Sequence, residues 1–240
     1  MLEFYAIILV GHLVADFLLQ PKWLVEKKNN SILFLILHSL VHLVLTFLLF
    51  IVTEVENYGT VLTIVFLQHL IIDFIVIRLR KRSIPEFKLF IGDQIAHFSV
   101  LFLLTVFELE VYTSDFSAIL LYFTIGIVGV TRFSSILIEK LMSYLVSVNP
   151  ELKKILAEDL KYSGKFIGII ERLLIFIFVI INQPLGIGFL LTVKSWLRLK
   201  TGEDENKRIE YVLIGTLVSF FLAILFALFV RMVLVESEVI

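Results

Sequence analysis

The chain has 240 residues, of which 59% are hydrophobic and 23 are Phe, and its net charge is -1. A mean hydropathy of +1.00 points to an integral membrane protein rather than a soluble domain, and the balanced charge leaves no basic field for nucleic acid. The absence of cysteine excludes disulfides and thiolate metal sites, leaving His and carboxylates as the strong ligands.

Taken in order, the apolar runs predict an all-α polytopic membrane bundle of eight transmembrane helices. They lie at approximately 2–20, 31–53, 59–79, 89–107, 116–138, 164–182, 185–199 and 209–235, most of them near the roughly 20 residues needed to cross the hydrocarbon core. The first opens "MLEFYAIILV" with Glu3 and no basic leader, so a retained helix is expected rather than a cleaved signal. The seventh is short and carries Gly186 and Gly188, which suits a thin crossing or a re-entrant piece. Between the runs, Lys and Arg alternate. "PKWLVEKKNN", "RLRKRSIPEFK", the five lysines of 139–165 and the segment 198–208 are basic, whereas "TEVENYG", "ELEVYTSD" and "NQPLG" contain neither residue. The positive-inside rule places the basic connections in the cytoplasm and both termini outside.

All five histidines fall in the first four runs, at His12, His38, His42, His69 and His97, beside Asp16, Asp73 and Asp93. They form the pairs "HLVAD", "HSLVH", "HLIID" and "DQIAH", each spaced four apart and so projecting from one helix face. With the topology above, all eight groups fall roughly 6–16 Å from the cytoplasmic end of their spans at 1.5 Å per residue. The pairs also repeat. His12 and Asp16 map to His69 and Asp73 at an offset of 57, and His38 and His42 map to Asp93 and His97 at an offset of 55. Residues 1–107 are therefore expected to form two related hairpins of the same orientation, and 108–240 a second four-helix membrane unit within one integrated domain. A single intramembrane His or Asp commonly makes only a helix–helix hydrogen bond worth about 0.6 kcal/mol. Four pairs in one layer point instead to one or two divalent metal ions, zinc first, with iron or manganese as the other fits.

The second half supplies buried cations. Arg132 is expected in the inner part of the fifth span, Glu171 and Arg172 in the sixth, and Lys194 and Arg198 at the inner end of the seventh. Arg132, Arg172, Lys194 and Arg198 are candidate substrate-binding residues for a phosphate-bearing molecule, and Glu171 is the candidate general base. Lys194 and Arg198 have a second reading, as side chains that snorkel to the inner headgroups.

The motifs "GHLVADFLLQPKW", "QHLIID", "GDQIAH", "GKFIGIIERLL" and "VKSWLR…EYVLIGTLVS" together resemble the bacterial membrane family catalogued as domain of unknown function 3307, with a likeness over nearly the whole chain. That resemblance implies a bacterial inner-membrane protein and carries no established activity. A weaker similarity, limited to the His and Asp motifs of the first spans, is to the YdjM-type membrane-bound metal-dependent hydrolases, and implies a hydrolase without fixing its substrate.

The residues thus support a metal-dependent membrane hydrolase whose site faces the cytoplasmic leaflet and whose substrate is amphipathic and phosphate-bearing, such as a membrane lipid. A divalent-cation or proton-coupled transporter would use the same His/Asp layer, although the outer halves of the spans hold almost nothing to solvate an ion. A third alternative is a structural or regulatory protein that senses metal or pH through the histidines.

Overall fold

The computed structural model describes residues 2–107, 115–149, 163–196 and 206–236, and all regular structure among them is helical. The chain divides into two compact units, Met1–Val128 and Gly129–Ile240. The first contains α1 (Leu2–Phe17), α2 (Lys22–Lys28), α3 (Ile32–Val52), α4 (Gly59–Arg80), α5 (Glu86–Leu103) and α6 (Asp115–Val128), with a 3-10 turn at Leu104–Phe107. The second begins with a π-helical turn at Gly129–Phe133 and contains α7 (Ser134–Val148), α8 (Ser163–Ile180), α9 (Pro184–Trp196) and α10 (Asn206–Glu236).

In the first unit α1 packs on α3, α3 on α4, α4 on α5, and α5 back on α1, so four helices close a ring; α6 packs on α1 from outside. α6 thus belongs to the first unit, which ends at Val128. The ring helices are built inside out. α3 buries Leu35, His38, Ser39, His42, Thr46 and Phe50, while Leu33, Leu37, Leu40, Val44, Leu48 and Ile51 are exposed. On α4 the buried face is Val61, Val65, Gln68, His69 and Asp73, with Leu67, Ile71, Phe74 and Ile75 outside. Water would reverse this arrangement; a hydrocarbon solvent favours it.

Among the described residues, five helical stretches are long and apolar enough to cross a membrane: Ile32–Val52, Gly59–Arg80, Glu86–Phe107, Ser117–Val148 and Glu210–Val235. A sixth qualifies only when α1 and α2 are joined across a 91° bend. The described residues therefore contain five or six such spans and not the expected eight. α8 carries Glu171 and Arg172 within 18 residues, and α9 spans only 13. The fifth helix also runs further than expected, through the π turn to Val148.

The bend between α1 and α2 follows from Pro21, which stands before α2 with an extended backbone (φ -69°, ψ 157°). Proline supplies no N–H and disfavours a helical conformation at the residue before it, so α1 cannot continue through Gln20. α2 then turns away carrying Lys22, Lys27 and Lys28, with Trp23 exposed, the composition of a helix lying at a membrane interface. Deeper in the ring, α1 and α3 approach so closely that a Cβ on Gly11 would lie 2.8 Å from Thr46 Oγ1.

Candidate metal centre

Each ring helix contributes its pair of polar side chains to one buried cluster. The spacing of four holds in space: His12 Nε2 lies 3.6 Å from Asp16 Oδ2, His69 Nε2 3.7 Å from Asp73 Oδ2, and His97 Nε2 3.4 Å from Asp93 Oδ1. The histidine rings stack through the centre. His42 and His69 have ring centroids 3.5 Å apart, and His69 and His97 4.3 Å apart. His12 sits beside His97 at 4.9 Å. His38, His69 and His97 are 0% exposed.

Asp16 Oδ1 is the focus of one group. It lies 3.0 Å from His38 Nε2, 3.2 Å from His42 Nε2 and 3.6 Å from His69 Nε2, while His38 Nε2 and His69 Nε2 are themselves 3.0 Å apart. Tetrahedral zinc with bonds of roughly 2.0–2.1 Å places its ligand atoms about 3.3 Å from each other, and these spacings straddle that edge. Hydrogen bonding alone accounts for them poorly. His38 Nε2 has three polar neighbours, Asp16 Oδ1, His69 Nε2 and the Gln20 amide nitrogen at 2.7 Å, yet one ring nitrogen either donates one proton or offers one lone pair. A cation shared by His38 Nε2, His69 Nε2 and Asp16 Oδ1 would account for the close approach of those three atoms.

Two further overlapping groups bring ligand atoms within 4.8 Å of one another: His12, His69 and His97; and Asp73, Asp93 and His97. Among the buried atoms here, both nitrogens of His12, His97 Nε2 and Asp93 Oδ1 have no hydrogen-bond partner. Unmatched polar atoms are costly in the interior and rarely tolerated without a reason. The ring of His97 is oriented from behind, because its Nδ1 donates to Gln68 Oε1 at 3.0 Å and so turns Nε2 toward the carboxylates.

Four participants were absent from the expected set: Gln20, Lys28, Gln68 and Gln94. Lys28 Nζ donates to Asp73 Oδ2 at 2.7 Å, reaching the layer from α2, and the Gln94 amide donates to Asp93 Oδ2 at 3.0 Å. Their signal was present in the motifs. Gln20 stands four residues beyond Asp16, Gln68 and Gln94 adjoin His69 and Asp93, and Lys28 lies in a basic stretch whose lysines also carry the topological signal.

The candidate residues of the second unit have other partners. Lys194 Nζ donates to Glu171 Oε2. The Arg172 guanidinium is buried and donates to Val130 O at 2.5 Å, Ser135 Oγ at 2.6 Å, Ser219 Oγ at 3.1 Å and Thr131 O at 3.5 Å. Arg132 does not join it: it lies in the π turn with an exposed side chain. Arg198 falls outside the described residues.

A helical bundle of long apolar spans around a His/Asp cluster defines a membrane protein with a potential metal site. The chain belongs to the family described as Protein of unknown function (DUF3307), whose model matches residues 4–124. The match covers all eight His/Asp positions and all but the first two residues of the ring and stops within α6, so the matched region is narrower than the near-complete one expected from the motifs. No curated protein and no solved structure matches the chain, and the similarity to YdjM-type hydrolases is not shown.

Proposed function

We propose that the first unit is the metal-binding, catalytic part of a membrane hydrolase, in which Asp16, His38, His42 and His69 hold a zinc-type ion. The observation that carries this reading is the convergence of three imidazole Nε2 atoms on Asp16 Oδ1 at 3.0–3.6 Å. A bound ion of this kind would supply a Lewis acid and lower the pKa of water toward about 7. The protein's own part is to fix the ligands on four packed helices and to present a cation beside them. Lys28 is that cation: it is already paired with a carboxylate of the layer, and it is suited to meet the anionic group of an amphipathic, phosphate-bearing substrate.

Gln20 enters from the α1–α2 bend and Lys28 from the end of α2, at and within the basic connection that the positive-inside rule assigns to the cytoplasm. The site thus opens toward the inner leaflet of a bacterial inner membrane, with both termini outside. Glu171 and Lys194 enter this reading as an ion pair, and Arg172 as a group that supports the second unit.

The test is elemental analysis of the full chain in detergent, followed by assay against lipid phosphates. Wild type should carry at least one equivalent of zinc, iron or manganese, with less in His42→Ala, and should release phosphate in a reaction that Asp16→Asn reduces to background. A transporter using the same layer is favoured by the parallel two-hairpin repeat. Metal-loaded protein that leaves lipid phosphates intact but carries the ion into proteoliposomes would replace the hydrolase reading with that one.

A further inference from the structure

The repeat relates the residues of the first ligand group to a second set. Under the offsets of 57 and 55, Asp16 corresponds to Asp73, His38 to Asp93 and His42 to His97. The fourth ligand of the first group, His69, comes from the other hairpin, and the position in the first hairpin that corresponds to it is His12. We infer that His12, Asp73, Asp93 and His97 hold a second metal ion, beside and unlike the first. This rests on the metal reading above.

Three observations support it independently of the sequence correspondence. The ligand atoms of Asp73, Asp93 and His97 already lie within 4.8 Å of one another, and those of His12 and His97 likewise. His12 Nε2, His97 Nε2 and Asp93 Oδ1 are buried and make no hydrogen bond, although each lies 3.4–3.6 Å from a carboxylate or imidazole partner, a spacing that suits co-ligands of one cation better than direct hydrogen bonds. Two carboxylates also straddle the sets. Asp16 turns Oδ1 to His38, His42 and His69 but places Oδ2 3.6 Å from His12 Nε2. Asp73 places Oδ1 3.7 Å from His97 Nε2 and Oδ2 3.7 and 3.8 Å from His69 and His38 Nε2. A carboxylate with one oxygen toward each set is the bridging ligand of a two-metal centre, whose ions stand roughly 3.5–4 Å apart. His69, stacked between His42 and His97, lies at the seam.

The two sites differ in chemistry. Three imidazoles and one carboxylate make the first a zinc-type site, whereas two of each make the second more anionic and better matched to manganese or iron. Lys28, held on Asp73 Oδ2, offsets part of that extra charge. For the hydrolase reading, a paired centre binds both sides of a phosphoryl group undergoing in-line displacement, which narrows the substrate class to phosphate esters or anhydrides.

The experiment loads the full-length, detergent-solubilised protein with manganese, measures metal per chain after desalting, and records its electron paramagnetic resonance spectrum. Wild type should bind two equivalents and show an exchange-coupled pair. Asp93→Asn, nearly isosteric, and His97→Ala should each bind one and show the spectrum of an isolated ion. His42→Ala should likewise bind one, and His42→Ala/His97→Ala none, with monodispersity on gel filtration checking that each variant is folded. One equivalent in wild type, unchanged by Asp93→Asn but lost in His42→Ala, would overturn the second site and leave the first standing. No binding by folded wild type would overturn the first site as well.

Discussion

Gln68 shows how a residue that binds nothing itself can govern a site. Its Oε1 accepts from His97 Nδ1, which fixes the ring orientation in which Nε2 faces Asp73 and Asp93. Partners of this kind typically contribute about 10–100-fold in metal affinity. Gln68→Leu should therefore weaken binding of the His97-held ion by about 10–100-fold and leave the ion on His38 and His42 unaffected, as measured by chelator competition. Equal weakening of both ions would mean that Gln68 acts on the packing of the whole layer. The eight His and Asp positions were legible from the sequence because ionisable side chains in apolar runs have few reasons to be there, and four-residue spacing places them on one face. Lys28 was not, since a basic residue in a connection carries a strong topological reading, and only the fold brings α2 back onto Asp73.

At the scale of elements, the π turn at Gly129–Phe133 and Arg172 belong together. A π turn disrupts the regular i→i-4 pattern, and Arg172 meets the carbonyls of Val130 and Thr131 while also binding Ser135 and Ser219. Ser134 adds its hydroxyl to Gly129 O at 2.7 Å. The lack of a Cβ at Gly129 leaves room for the Phe226 ring, which would otherwise stand 2.4 Å from that atom. Arg172→Met should lower stability by about 1–3 kcal/mol, the usual cost of leaving buried polar groups unmatched, read as a lower unfolding midpoint in detergent. Metal content should stay at the wild-type level, and Arg172→Lys should not restore the midpoint, since an ammonium cannot reproduce the planar fork. A substrate-binding Arg172 would behave differently, with stability unchanged and activity lost. The sequence placed this arginine within a span but could not distinguish the two roles, because its partners are main-chain carbonyls and hydroxyls from distant segments.

For the whole molecule, helical class and the positions of the long spans were legible in hydropathy, since a run of apolar residues specifies a lipid-facing helix without reference to its neighbours. Span number was harder. α1 needs α2 to meet the length criterion, α8 carries its own charges, and α9 is short; those cases depend on packing that a linear reading omits. The closing of four helices around one ligand layer would also couple the proposed metal to stability. An ion present at 100 times its dissociation constant stabilises a folded protein by about 2.7 kcal/mol. Chelation should accordingly lower the thermal midpoint of wild type, readdition should restore it, and His42→Ala/His97→Ala should show neither response in a melting scan.

The inside-out character of α3, α4 and α5 also constrains how the protein is made. α3 leaves the ribosome with only α1 in place, and α4 leaves before α5, so their His and Asp pairs lack some of their partners until the later helices arrive; His97, on the fourth ring helix, is the last of the layer to be synthesised. A nascent chain that stops before α5 exposes part of the polar layer to lipid or to the insertion machinery. Insertion of helices as hairpins would shield these pairs in turn, and the metal would be loaded late, once the fourth wall of the ring has closed.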